Sequence, residues 1–475
     1  MNSEKLQSLG VPSDCCEAAI EGVKLIAADH KTRGEDNVDA VSLSLAISEV
    51  VDEPENYVND RFWADLARSI IESKKSPFRE TPAPMKVWGR EGIDENTINQ
   101  MNLARELPMA TRLALMGDGH LGYGLAIGGV LALKNAIAPY CVGVDIACRM
   151  KLSVLDMDVK KFHSHDMQDN LDNSLEEGTR WGMGCNYGRS GRMNHDVMDD
   201  DRWGSIGLLS HLKEKAWEQL GTSGSGNHFC EFGILTIEEM NELGLEAGEY
   251  VALLSHSGSR GAGARICDYY SKIAKDKLPN KFKEHFTHLA WLDMDSEEGQ
   301  EYWTAMNLMG DYASANHDVI HKQVSKLAGC KIVTGVENHH NFAWKEDHDG
   351  QEVYVHRKGA TPAGKGVLGV IPGSMGTPAY VVRGLGSVDS MDSASHGAGR
   401  VMSRTKAKDT FAYGDEIRRL AAQGVRVLSA GADEVPGVYK KIDEVMACQK
   451  DLVEAIARFD PKVVKMCGDG SKAED

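Results

Sequence analysis

Five segments set carboxylate, imidazole or thiol side chains beside glycine or other small residues. MGDGHLGYG carries Asp118 and His120, and GVDIACRM carries Asp145 and Cys148. GSGNHFCEFG carries Asn227, His228 and Glu231, SHSGSRGAG carries His256, and ENHHNFAW carries His339 and His340. Taken singly, each has an ordinary structural role open to it. A lone histidine at a strand end is more often hydrogen-bonded in place, a free cysteine is usually a small buried hydrophobe, and an aspartate often caps a turn. Together they read differently. Thiolate, imidazole and carboxylate in one set suit a divalent transition metal better than calcium or magnesium. One thiolate can bridge two ions, and two ions can clamp the attacking and leaving oxygens of phosphoryl chemistry. A structural zinc site would show closely paired cysteines, and none of the ten cysteines forms a CxxC pair.

A second group of segments suits phosphate. HRKGATPAGKG (356–366), PGSMGTP (372–378) and HGAGRVMSR (396–404) are glycine-rich and carry basic or hydroxyl side chains. Backbone amides freed by glycine cradle anions, and arginine offers a forked pair of donors. Tight turns beside surface charge are the bland alternative. None of the three matches the P-loop or the dinucleotide fingerprint.

These residues need elements to hold them. YVALLS (250–255) and AYVVRG (379–384) read as strands that end in polar clusters, and PYCVGVDIACRM (139–150) reads as an apolar strand interrupted by Asp145 and Cys148. Residues 265–328 read as a helical insertion. Residues 438–459 place Ile442, Val445, Met446, Val453 and Ile456 near helical spacing. Strands and helices in this order predict an α+β fold, with function at strand ends and in glycine-rich loops. Residues 1–84 read as a variable, helix-rich lead-in with alternating charge, closed by prolines at 77, 82 and 84; residues 85–475 read as the catalytic domain.

The chain has 475 residues with a formal charge of −18, which argues against a generic nucleic-acid coat. It has no apolar run long enough for a membrane span. The start shows no secretory signal, and the scattered cysteines read as reduced thiols, so a cytoplasmic location is expected.

From Lys86 to Gly468 the chain resembles the RtcB family of RNA ligases. The resemblance rests on KVWG, MGDGHLGYGLAIGG, GVDIACRM, GSGNHF, HSGSRG, HHNFAW, HRKGATPA, IPGSMGTPAYVV, HGAGRVMSR and PGVYKKIDEV, in the family's order and with similar spacing. It implies mixed sheets and helices around a central metal-containing cleft. It implies that Asp145, Cys148, His228, His256 and His340 hold two manganese ions, with Cys148 bridging. His340 is taken over His339 because the ligand precedes an asparagine, here Asn341. His396 matches the histidine that accepts GMP from GTP. Asn227 matches a group near the nucleotide phosphate, and Glu231 and Tyr439 match groups around the guanine. Ser374 and the backbone of Gly397, Ala398 and Gly399 match nucleotide-binding loops, and Arg400 and Arg404 match RNA-phosphate contacts. The activity implied is GTP- and manganese-dependent joining of RNA 3′-phosphate or 2′,3′-cyclic phosphate ends to 5′-hydroxyl ends, in RNA repair or tRNA splicing.

Three departures stand out. Ala147 and Arg149 replace glycines around the metal cysteine, and Arg149 is expected there to contact phosphate or lower the thiol pKa. Cys467 stands where the family has a lysine near the guanylate, with Lys465 two residues before it. Ala379 replaces a serine. The last two motivate a second reading, a metal-dependent phosphodiesterase or nucleotidyl-transfer enzyme that no longer seals RNA.

Overall fold

In the computed structural model the described residues are 3–12, 15–34, 39–74, 78–79, 81–468 and 470. They divide into two compact units, residues 1–82 with 106–108, and residues 83–105 with 109–475.

The first unit is helical. Asp39 starts the helix Ala40–Asp52 by accepting the amides of Val41 and Ser42, the usual answer to unpaired N-terminal donors. Leu6, Ala19, Ile47, Val50, Leu66 and Ile70 from successive helices, with Trp63 from the turn before the last, bury one shared core.

The second unit is built on an eight-stranded sheet. Its main path runs Ile332–His339, Arg149–Leu155, Gly248–Ser257, Phe229–Ile237, Val453–Met466, Ala379–Gly384 and Leu368–Ile371, all antiparallel. Arg426–Ser429 adds a parallel partner to Val453–Met466. A five-stranded sheet orders Met85–Val87, Ala110–His120, Ile127–Leu133, Gln351–Lys358 and Asn341–His348. The fold is α+β.

Strand alternation divides the large sheet into two working faces. One packs Phe232, Ile234, Val251 and Leu253 against Leu171 and Leu175 of the helix His165–Glu177 and Ile320 and Val324 of the helix Glu297–Leu327. The other carries Met150, Leu152, Leu254 and Phe459 in a separate core. The metal-type residues open from this second face.

Two local readings of the sequence are corrected. Residues 438–459 are not one helix: a helix covers only Ile442–Cys448, and a strand begins at Val453. The apolar spacing there serves a strand bonded on both edges, where burial outweighs local helix preference. Residues 139–150 are not one strand either. Pro139–Val142 is a helical turn, and the strand starts at Arg149, so Asp145 and Cys148 lie in the loop that leads into it. Residues 265–328 hold most of the helix Arg260–Lys277, then Asn280–Phe286 and Glu297–Leu327.

Candidate functional site

The Asp145–Cys148 loop meets the ends of two neighbouring strands. His256 lies near the end of Gly248–Ser257, and His228 directly precedes Phe229–Ile237. His340 joins the edge strand Ile332–His339 of the large sheet to the edge strand Asn341–His348 of the smaller one, with its amide donating to the Cys148 carbonyl at 3.0 Å. The five side chains form a continuous series. Asp145 Oδ2 lies 3.1 Å from His228 Nε2, and Cys148 Sγ lies 3.5 Å from that nitrogen and 3.0 Å from His256 Nε2. His256 Nε2 in turn lies 3.2 Å from His340 Nε2. All five are buried.

His256 Nδ1 faces the Asn227 carbonyl at 3.1 Å, and His228 Nδ1 faces the Ser223 carbonyl at 2.9 Å and the Arg260 guanidinium at 3.1 Å. A carbonyl only accepts, so His256 Nδ1 donates and its Nε2 presents a bare lone pair toward Cys148, while His228 Nε2 faces the Asp145 carboxylate. Burial drives His256 and His340 well below the ordinary histidine range, which keeps them neutral. Burial alone would raise Asp145, but its bond with His228 outweighs that and holds it at about 2. Neutral imidazoles, an ionised carboxylate and a cysteine sulfur aimed at one space fit a divalent cation. Cys148, His228 and His256 bring their donor atoms within 4.8 Å of one another. Gly258 makes room for this: a Cβ there would stand 2.2 Å from Asp145 Oδ2.

His396 borders the cluster, its ring centroid 4.7 Å from that of His340. Asp118 holds it from 278 residues away. Asp118 Oδ2 accepts from His396 Nδ1 at 2.7 Å and from the amides of His396 and Gly397 at 3.1 and 3.2 Å. Burial opposes charge on Asp118, yet the His396 interaction keeps its carboxyl below the usual range. An ionised acceptor there fixes the proton on Nδ1 and leaves Nε2 with a free lone pair. Gly399 lets this loop approach, since its φ is +75° and a Cβ would stand 2.1 Å from the Asp118 carbonyl.

A cavity opens beside both groups. Its lining includes His256, His340 and His396, together with Asn227, Glu231, Ser374, Ala398, Gly399, Arg400 and Tyr439. Gly397 stays behind the wall, bonded to Asp118. Arg400 and Arg404 do not present free charge. Arg400 donates to the Asp433 carbonyl at 2.9 Å and lies 3.4 Å from Glu434, and Arg404 pairs with Asp433 at 3.1 Å and with Glu434. Tyr439 also donates to Glu434.

Arg149 turns away from the ligand cluster. It follows Cys148 by one residue, so it projects to the opposite face. There it pairs with Glu337 at 2.8 Å and donates to the Gly310 carbonyl at 3.1 Å. Ala147 takes φ +56°, a left-handed backbone that glycine adopts without strain. His339 also turns away from the cluster, its ring against Phe342 and Trp344. Lys465 is excluded from the cavity by the same alternation: it pairs across from Cys230 and reaches Glu176 at 2.7 Å. Cys467 lies beyond the strand and outside the cavity lining.

Sequence reading missed the partnership of Asp118 with His396, although it singled out both residues. It gave Glu434 no role, and no motif signals one.

The family model described as tRNA-splicing ligase RtcB matches residues 100–205 and 168–466. The RNA-splicing ligase RtcB of Escherichia coli K12 is 33% identical over 79% of this chain and 95% of its own length. The tRNA-splicing ligase RtcB of Thermococcus kodakarensis is 31% identical over 79% of this chain and 94% of its own. The RNA-splicing ligase RtcB homolog 1 of Entamoeba dispar is 28% identical over 77% and 81%. A buried cysteine–histidine–aspartate centre on a mixed α+β scaffold is thus the class. The chain belongs to the RtcB family.

Proposed function

We propose that this chain is an RNA ligase that uses GTP and two manganese ions to join RNA 3′-phosphate or 2′,3′-cyclic phosphate ends to 5′-hydroxyl ends, through a nucleotidylated His396. The observation that carries the reading is the His396–Asp118 pair set between the ligand cluster and the cavity. Membership of a family whose relatives are named RNA-splicing and tRNA-splicing ligases supports the substrate class, in tRNA splicing or RNA repair.

The first chemical step has residues suited to it. His396 Nε2 attacks the α-phosphorus of the nucleotide; the N–P bond forms as the bond to pyrophosphate breaks. Asp118 keeps the proton on Nδ1, stabilises the charge that develops on the ring, and orients it. The RNA 3′-phosphate then takes the nucleotidyl group, restoring neutral imidazole. The 5′-hydroxyl attacks the activated 3′-phosphorus, loses its proton, and displaces the nucleoside monophosphate. A cyclic phosphate is first opened by water. Asp145, Cys148, His228, His256 and His340 would hold the metals, which when bound supply charge stabilisation on the phosphates and orientation of the attack.

The test is incubation with manganese, GTP and RNAs bearing 3′-phosphate and 5′-hydroxyl ends. Sealed product from the wild type and none from His396→Ala is expected. Opening of a cyclic phosphate without sealing would replace the ligase with a phosphodiesterase, and sealing by His396→Ala would contradict the mechanism.

A further inference from the structure

The cavity has a floor of strand residues, among them Phe229, Val464 and Met466, and a rim formed in part by the loop His120–Gly124. His120 lines the cavity, whereas Leu121 and Tyr123 lie outside its lining and face solvent, 53% and 73% exposed. The backbone beneath these side chains is held from three directions. Gln100, on the helix Glu95–Ala104, donates to the carbonyls of Gly122 and Gly124 at 2.6 and 2.7 Å and accepts from the Gly122 amide at 3.2 Å. Lys358 Nζ donates to the Tyr123 carbonyl. Gly124, at φ +72°, packs so closely that a Cβ would stand 2.4 Å from the His288 carbonyl oxygen. A fixed backbone that presents a large ring to water lowers the ordering cost of binding through that ring.

The same contacts set the loop beside His396. Gly359 follows Lys358, and a Cβ on it would stand 3.1 Å from His396 Cε1 and 2.3 Å from Ile127 Cγ2. Ile127 in turn pairs with His120. The Tyr123 backbone is thus one lysine side chain away from the residue that packs on the His396 ring. Positive charge gathers here as well. Lys358 bonds the carbonyls of Tyr123 and Tyr140, and Lys440 those of Gly117 and Gly119. Neither ammonium group forms an ion pair among the described residues, whereas Arg400 and Arg404 are paired with Asp433 and Glu434. A polyanion approaching His396 meets its favourable potential on the Tyr123 side.

We propose that the Tyr123 ring is a stacking platform for the base at the 3′ end of the RNA strand that His396 activates. This rests on the ligase reading given above. The nucleotide that modifies His396 occupies the cavity, and Tyr123 stands outside the lining. The partner of the ring is therefore the next group to reach His396, the 3′-phosphate end of the RNA. Every base has a π-face, so the ring holds any terminal base and reads no sequence. The Tyr123 hydroxyl has no hydrogen-bond partner among the described residues, and stacking requires none.

Nucleotidylation of the protein needs no RNA, so it separates from transfer to RNA. Wild type, Tyr123→Ala and Tyr123→Phe are labelled with manganese and α-labelled GTP, then mixed with increasing RNA bearing a 3′-phosphate. Tyr123→Ala is expected to label, which reports an intact fold, and to need about 10- to 100-fold more RNA for half-maximal transfer. Tyr123→Phe keeps the ring and is expected to transfer as wild type does. RNA with an abasic 3′-terminal residue is expected to weaken transfer by wild type to a similar degree, and to cause no further loss in Tyr123→Ala. An unchanged RNA requirement in Tyr123→Ala overturns the proposal, as does an abasic penalty of equal size in the two proteins. Loss of labelling in Tyr123→Ala assigns the ring to the nucleotide instead and also overturns it. Absence of label on wild type overturns the ligase reading itself, a result distinct from failure of the platform.

Discussion

The proposed attack through His396 Nε2 requires that Nδ1 keep its proton, and one carboxylate oxygen secures that. Asp118 Oδ2 accepts the ring N–H and two backbone N–H groups, so the loop and the imidazole are fixed by the same atom. Asp118→Asn keeps the shape but sets an amide donor against the ring, favouring the wrong tautomer. It is expected to slow nucleotidylation by a factor on the order of 10² to 10⁴ with metal content unchanged, read by labelling rate and metal analysis. A loss of metal with the rate would assign Asp118 to the metal site instead. Both residues stood out in the sequence as chemistry-bearing. Their pairing did not, because MGDGHLGYG and HGAGR are distant in the chain and nothing local in either points to the other. The metal-type residues were more legible, since glycine and small residues flank each of them. The floor of the cavity was not, because Phe229, Val464 and Met466 look like any core strand residues until the register is known.

At the scale of elements, the side on which a residue emerges decides its role more than its nearness in sequence. Cys148 and Arg149 are neighbours, yet one joins the ligand cluster and the other anchors the strand to the helix Glu297–Leu327 through the Gly310 carbonyl. Arg149→Met is expected to lower stability by about 2–4 kcal/mol in urea unfolding, because it leaves Glu337 with only part of its cationic support, while metal content stays the same. A changed metal content would reconnect Arg149 to the site. Gly258 makes the converse case, a residue with no side chain that shapes the ligand set. Gly258→Ala puts a methyl 2.2 Å from Asp145 Oδ2 and is expected to weaken divalent-metal binding about 10- to 100-fold in titration calorimetry. Unaltered affinity would show that Asp145 is not needed there. The strands 250–255 and 379–384 were readable because their apolar runs end at polar clusters. The strand Val453–Met466 was not, since its hydrophobic spacing also fits a helix and only pairing on both edges decides between them.

For the whole molecule, buried neutral histidines set the response to acid. Burial holds His339 at about 3 and His356 at about 4, and keeps His317 below its ordinary value. The unfolded chain protonates these rings near pH 6.5, and the folded chain does not. Below that pH the unfolded state binds more protons, so stability falls as pH falls, by up to about 1.4 kcal/mol per pH unit for each such ring. The urea midpoint of the protein in chelator is expected to drop steadily from pH 7 to pH 5; a flat profile would show these rings charged in the fold. Arg400 and Arg404 are paired with Asp433 and Glu434, so neither adds free positive charge at the cavity to offset the net charge of −18.

The central claim is a covalent bond at one atom. After incubation with manganese and GTP, intact-protein and peptide mass spectrometry are expected to find one nucleoside monophosphate per chain, acid-labile and alkali-stable, mapped to His396 and absent from His396→Ala. No adduct on the wild type, or the same adduct on the His396→Ala protein, would contradict the account.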